Sequence, residues 1–140
     1  MSGCLFCQIA QGARPAHTVF EEERTVAFLD IFPCTPGHTL VIPREHHSTL
    51  AEMPAEDAGR LFHVAAVVAA KVQAAMGAAG FNLGVNNGKA AGQEVFHVHI
   101  HIIPRYPNDG GGSMKSVARM RAKEDLEQIA TKIRHTFTPS

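Results

Sequence analysis

Polar and apolar residues alternate from Phe96 to Ile102 in the stretch Phe96-His97-Val98-His99-Ile100-His101-Ile102-Ile103. Successive strand side chains point to opposite faces. The stretch predicts a strand with His97, His99 and His101 on one face and Val98, Ile100 and Ile102 on the other. Pro104 is expected to end it, because proline cannot donate to a ladder. Phe81, Leu83 and Val85 alternate in the same way. His17 to Glu21 and Thr25 to Asp30 read as two strands joined by a turn at Glu22-Glu23-Arg24. Thr39 to Ile42 is an apolar strand that Pro43 stops.

Elsewhere the apolar period changes to that of a helix. Leu61, Val64, Val68 and Val72 recur at three- and four-residue steps and form one stripe. Pro54 suits the first helical position, and Glu56 and Asp57 suit the positive end of the helix dipole. Gly77 and Gly80 stop this helix. Leu126, Ile129, Ile133 and Phe137 make a second stripe, on a helix expected from about Arg121 to His135. Residues 4 to 12 read as a short turn or helical piece ending at Gly12. Ile31 to Gly37, Asn86 to Gln93 and the flexible Asn108 to Gly112 are loops. Strands, helix, strands, helix, with hairpin-like neighbours, predict an α+β fold with an antiparallel sheet. Too few helices alternate with strands for a long parallel sheet.

The chain has 140 residues, which suits one domain with a real core. Thirteen basic and thirteen acidic residues balance, so charge offers no argument for nucleic acid or an anionic membrane. The longest apolar run, Val64 to Ala70, is too short to span a bilayer, and no signal segment opens the chain. Three cysteines, an odd count, argue against a disulfide framework and for the cytoplasm.

Three imidazoles in register are hard to explain as ordinary core or surface residues. They could bind one metal ion. Alternatively, one neutral ring could attack phosphorus while its neighbours set its tautomer and bind the anionic oxygens. The loop Asn86-Asn87-Gly88-Lys89-Ala90-Ala91-Gly92-Gln93-Glu94 lies directly upstream. Its small residues let backbone N–H groups turn toward an anion. Cys4-x-x-Cys7 is half of a zinc pattern, and equally a redox pair or two buried thiols.

Taken together, Asn86, Gly92-Gln93 and the His97-x-His99-x-His101 strand resemble the histidine-triad (HIT) family of nucleotide hydrolases and transferases. Phe28-Leu29-Asp30-Ile31 and Pro36-Gly37-His38-Thr39-Leu40-Val41-Ile42-Pro43 match the family in the same order. The resemblance covers residues 4 to about 105, leaving about 106–140 as an extension of a single domain. It is nearest to small bacterial members with an N-terminal Cys-x-x-Cys. It implies a five-stranded antiparallel sheet with one long helix and a C-terminal helix, in a homodimer whose strands pair across subunits.

The resemblance also implies roles. His99 would be the nucleophile toward the α-phosphorus of a purine nucleotide, forming a nucleotidyl-histidine that water resolves. His101 would bind phosphate oxygens, and His38 would complete the network. Asp30 would accept the ribose hydroxyls, since a carboxylate takes two donors at once. Phe6, Phe28, Ile31 and Leu40 would form the base pocket, with Asn86, Gly92 and Gln93 near ribose or phosphate. Cys4, Cys7, His46 and His97 would hold a structural zinc ion. His47 adjoins His46, and the family pattern selects His46. Catalysis then needs no metal of its own. The implied reaction is hydrolysis of nucleoside 5′-phosphoramidates or related monophosphate conjugates. Dinucleoside polyphosphate hydrolysis, nucleotidyl transfer and a non-enzymatic nucleotide-sensing module are the rivals. The chain departs from many members at Glu94, where Ser or Thr is common. A carboxylate there would repel a phosphate that it faced.

Overall fold

The computed structural model describes residues 3–121 and 123–137. One antiparallel sheet organises it. Its strands are β1 (Thr18–Glu21), β2 (Thr25–Leu29), β3 (Thr39–Pro43), β4 (Gly80–Gly84) and β5 (Ile100–Arg105), in spatial order β1-β2-β3-β5-β4. The long helix α2 (Ala55–Met76) covers one face, and the short helix α1 (Leu5–Ala10) covers part of the other. A third helix, α3 (Leu126–Thr136), ends the described chain.

Period-two alternation divides the core in two. Ala27, Val41, Ile100 and Ile102 point toward α2 and pack on Leu61, Val64, Ala65 and Val68. Val26, Phe28, Leu40 and Ile42 point the other way and pack with Phe6 and Ala10 of α1. Leu61, at 2% exposure, sits where the α2 stripe meets the sheet. Truncating such a leucine to alanine costs about 2–5 kcal/mol. His101 pairs with Leu40 across the β3–β5 ladder, on the α1 side. The histidine face is therefore the sheet face that α1 only partly covers.

Several boundaries differ from the sequence reading, each for a local reason. The β5 ladder begins at Ile100, so His97 and His99 lie in the approach to the strand. Val98 N–H there donates to His47 O instead of to a sheet neighbour. Pro104 does not end β5. Its carbonyl accepts from Thr35 Oγ1, on the β3 side, and the last β3–β5 pair is Thr39 with Ile102. The missing proline N–H thus faces a side where pairing has already stopped. Pro43, by contrast, does close β3 as its last residue, paired with Thr25.

Pro54 is the residue before α2, with extended ψ 135°, not its first turn. Gly77 caps α2 in the left-handed conformation at φ 62°, whereas Gly80 opens β4. The α3 helix starts later than expected, at Leu126, where the Asp125 side chain accepts from Gln128 N–H. The turn at Asn108 to Gly112 is hydrogen-bonded: Asp109 accepts from the Arg105 guanidinium at 2.8 and 3.0 Å and from the Tyr106 and Gly111 N–H groups.

Candidate active site and metal-ligand cluster

Three elements converge on the histidine face. β5 and its approach carry His99 and His101, with ring centroids 5.0 Å apart. The loop into β3 carries His38, whose Nε2 lies 2.9 Å from His101 Nδ1. From α1, Phe6 stands edge-on to His99 at 5.0 Å and to Phe28 at 5.5 Å.

Hydrogen-bond partners fix the tautomers. The Cys34 N–H donates to His38 Nδ1 at 3.2 Å, so His38 carries its proton on Nε2. That proton is donated to His101 Nδ1, which leaves His101 with an Nε2–H. Among the described residues, buried His101 Nε2 has no partner. A buried donor without an acceptor costs roughly 1–3 kcal/mol, and an anionic oxygen would satisfy it. His99 donates Nδ1–H to the His97 carbonyl at 2.7 Å, so its Nε2 keeps a free lone pair. His97 donates Nε2–H to the Pro43 carbonyl at 2.8 Å, so its lone pair is on Nδ1.

Burial pushes the basicity of these rings down. His101 falls to about 4, chiefly by burial and then through the neighbouring rings of His99 and His38. His38 is lowered by burial, against the opposing pull of Asp30. Burial also lowers His99, against its bond to the His97 carbonyl. The network is neutral near pH 7, which keeps the His99 lone pair available.

Beside these rings lies a cleft of about 580 Å³. Phe6, Phe28, Ile31 and Leu40 line it, with Asp30, Asn86, Gly92, His99 and His101. Phe28 and Leu40 serve both the core and the cleft wall. The Asp30 carboxylate is held by the Phe32 N–H at 2.9 Å on Oδ1, with Oδ2 3.5 Å from His38 Nε2. Gly92 has φ 91°, and a Cβ there would approach the Asn86 amide at 3.9 Å. The strained backbone, more than the space, requires glycine.

Gln93 is the exception among the expected contacts. It is 4% exposed, and its amide ties the loop to its surroundings, accepting from Gly88 N–H and donating to the Ser48 and Val95 carbonyls. It braces the loop and is not on the cleft wall. The cleft adds residues that sequence reasoning missed, among them Ile9, Arg14 and Phe32. Ile9 lies one helical turn from Phe6, a signal that was available. Arg14 reaches the wall only through the fold, held by the Gln8 side-chain oxygen at 3.1 Å.

Cys4, Cys7, His46 and His97 converge so that their four ligand atoms lie within 4.8 Å of one another. His97 Nδ1 is 3.2 Å from His46 Nδ1 and 3.5 Å from each sulfur, and Cys7 Sγ is 3.3 Å from His46 Nδ1. Tetrahedral zinc, with bonds of about 2.3 Å to sulfur and about 2.0–2.1 Å to nitrogen, sets its ligands roughly 3.3–3.8 Å apart. The donor set therefore fits zinc. Burial pushes the Cys7 thiol up, with Cys4 beside it adding to the shift. A cation would supply the charge that thiolates need. His47 instead faces Glu45 at 3.7 Å. Cys34, His17, His63 and His135 are exposed and lie outside both clusters.

Comparison with known proteins agrees with this geometry. The chain is 43% identical over 132 residues to "Protein hit" of Bacillus subtilis, covering 93% of this chain and 91% of that one. It is 39% identical over 124 residues to Adenylylsulfatase HINT3 of Arabidopsis thaliana, covering 89% of this chain and 63% of that one. A crystal structure of a HIT family member from Bacillus subtilis superposes with TM-score 0.86 at 39% identity, covering 99% of both chains. A zinc-bound histidine triad protein from Mycobacterium smegmatis superposes with TM-score 0.74 at 32% identity, covering 96% of this chain and 98% of that one. The HIT domain pattern itself matches residues 11–108, and the chain belongs to the HIT family of nucleotide-binding hydrolases and transferases.

Proposed function

We propose that this protein hydrolyses purine nucleoside 5′-phosphoramidates, or related nucleoside monophosphate conjugates, through a nucleotidyl intermediate on His99. One observation carries the reading. The His99 Nδ1–H is committed to the His97 carbonyl, which leaves the Nε2 lone pair beside a 580 Å³ cleft. Next to it, His101 offers an N–H with no partner among the described residues. A nucleophile and a donor for the phosphoryl oxygen thus sit side by side. The adenylylsulfatase relative supports chemistry at a nucleotide's phosphorus.

In the first displacement, Nε2 of His99 forms a bond to phosphorus. The P–N bond breaks, and its electron pair leaves with nitrogen, which takes a proton from solvent. The proton on Nδ1 stays with the His97 carbonyl and stabilises the phosphorylated ring. In the second, water attacks phosphorus, the pair of the N–P bond returns to His99, and the water's proton goes to solvent. The nucleoside monophosphate is released. Asp30 would hold the ribose hydroxyls, the apolar wall of Phe6, Phe28, Ile31 and Leu40 would hold the base, and Asn86 and Gly92 would flank the phosphate. His38 orients His101 through its Nε2–H. Proximity of this kind lowers the barrier without new chemistry.

Cys4, Cys7, His46 and His97 would hold zinc, which when bound supplies a structural cross-link between α1 and the approach to β5. The zinc-bound relative supports this assignment. We place the protein in the cytoplasm as a homodimer. Its free thiols support the first. Among the described strands β4 pairs only with β5, and that open sheet edge supports the second.

Rapid quench with nucleotide-labelled phosphoramidate tests the function. Label recovered on the 95–105 peptide, at His99, is the expected result. Turnover with no labelled peptide at any quench time would refute the mechanism.

A further inference from the structure

The charges on the cleft wall carry an inference about the leaving group, and it rests on the hydrolase reading above. Glu94 lines the same cleft as His99, His101, Asn86 and Gly92. It is exposed, and among the described residues its carboxylate has no ion-pair or hydrogen-bond partner. Asp30 adds a second carboxylate to the wall. Arg14 is the wall's one cationic residue among those described, and its Nε is bonded to Gln8. Lys89 belongs to the same loop as Glu94 but is not on the wall. His38 and His101 do not offset the balance, because burial holds them neutral.

A site that receives an anionic phosphate would ordinarily gather cations. This one presents two carboxylates against one guanidinium. It stabilises the phosphoryl oxygens with neutral N–H donors instead. A polyphosphate leaving group would bring further negative charge toward Glu94, where like charges cost free energy. An ammonium next to the scissile bond would bring the opposite charge to the same carboxylate.

We propose that Glu94 is a specificity-determining residue that selects leaving groups bearing positive charge close to the scissile P–N bond, and rejects polyphosphate leaving groups. The preferred substrates are then nucleoside phosphoramidates of short diamines, whose second amine keeps its charge two or three carbons from the P–N bond. Glu94 takes no part in bond making.

The test compares three substrates of one nucleoside: the phosphoramidate of ethylenediamine, that of an uncharged amine of similar size, and the dinucleoside polyphosphate. Each is measured with the parent, Glu94→Gln and Glu94→Lys, with thermal melts to confirm folding. The parent should favour the ammonium-bearing substrate over the neutral one in kcat/KM by about three- to fivefold, the scale of a solvent-exposed ion pair. Glu94→Gln should bring the two to near parity, and Glu94→Lys should raise the polyphosphate above its parent value. Identical substrate ratios in all three proteins would overturn charge selection while leaving the hydrolase reading intact. A parent that turns over the substrates without ever labelling His99 would overturn the hydrolase reading itself, and this inference with it.

Discussion

The Nδ1–H of His99 points at the main-chain oxygen of His97, 2.7 Å away, while the His97 ring points into the sulfur and imidazole cluster. One residue thus serves two sites. Its carbonyl sets the tautomer of the candidate nucleophile, and its ring is a candidate metal ligand. The two sites are joined by two residues of backbone. The first prediction follows from this pair. His99→Ala should lose at least about 10³-fold in kcat while still binding nucleoside monophosphate. Steady-state kinetics with isothermal titration would show it, and hydrolysis at the parent rate would rule out His99 as nucleophile.

Metal content tests the neighbouring cluster. Cys4→Ser should bind less zinc than the parent by elemental analysis, and its melting temperature should fall. Chelation of the parent should lower the melting temperature in the same direction, since a metal that binds only the folded state stabilises it. Equal zinc in parent and variant would remove Cys4 from the ligand set.

Asp30 should report on the sugar. Asp30→Asn keeps the shape but removes the charge that strengthens hydrogen bonds from hydroxyls. The preference for ribonucleotide over 2′-deoxyribonucleotide substrate should shrink by about tenfold, measured as the ratio of kcat/KM values. An unchanged ratio would place the ribose elsewhere.

Acid should unfold the protein through its buried histidines. His101 titrates at about 4 in the folded chain, below the ordinary value of 6.5, because burial disfavours its charged form. Between those values the unfolded chain binds the proton and the folded chain does not. Stability is therefore full above about pH 6.5 and is lost as pH falls toward about 4. His38 shifts in the same direction. His101→Asn should show a shallower loss of stability over this window in urea denaturation. A slope equal to that of the parent would contradict the assignment.

Gly37 holds the loop that delivers His38. Its φ is 91°, and an added Cβ would meet Met76 Cγ at 2.8 Å and Pro104 Cγ at 3.2 Å. Gly37→Ala should destabilise by about 1–3 kcal/mol and lower kcat as His38 moves. Chemical denaturation beside steady-state assays would detect both.

Much of this molecule was legible in residue order alone. Period two marked β4 and β5, a turn between two short runs marked β1 and β2, a continuous apolar run marked β3, and period 3.6 marked α2, because each buried face imposes its repeat on the sequence that packs there. The strand ends were harder. Pro43 does end β3, but Pro104 sits inside the β4–β5 ladder, since what matters is whether a partner occupies the side the N–H would have faced. Gln93 shows the same limit at the site: its position in the motif suggested a ligand contact, and the fold spends its amide on Gly88, Ser48 and Val95.

By itself the sequence determined which side chains share a face: the alternation of His97, His99 and His101 with apolar residues needs only local geometry. Tertiary structure alone decided what those rings do. The Pro43 carbonyl turns the His97 lone pair toward Cys4 and Cys7, the Cys34 N–H turns the His38 proton toward His101, and Arg14 arrives on the cleft wall from the segment between α1 and β1. Proton positions and wall charges depend on groups far apart in the chain, and only folding brings them within hydrogen-bonding distance.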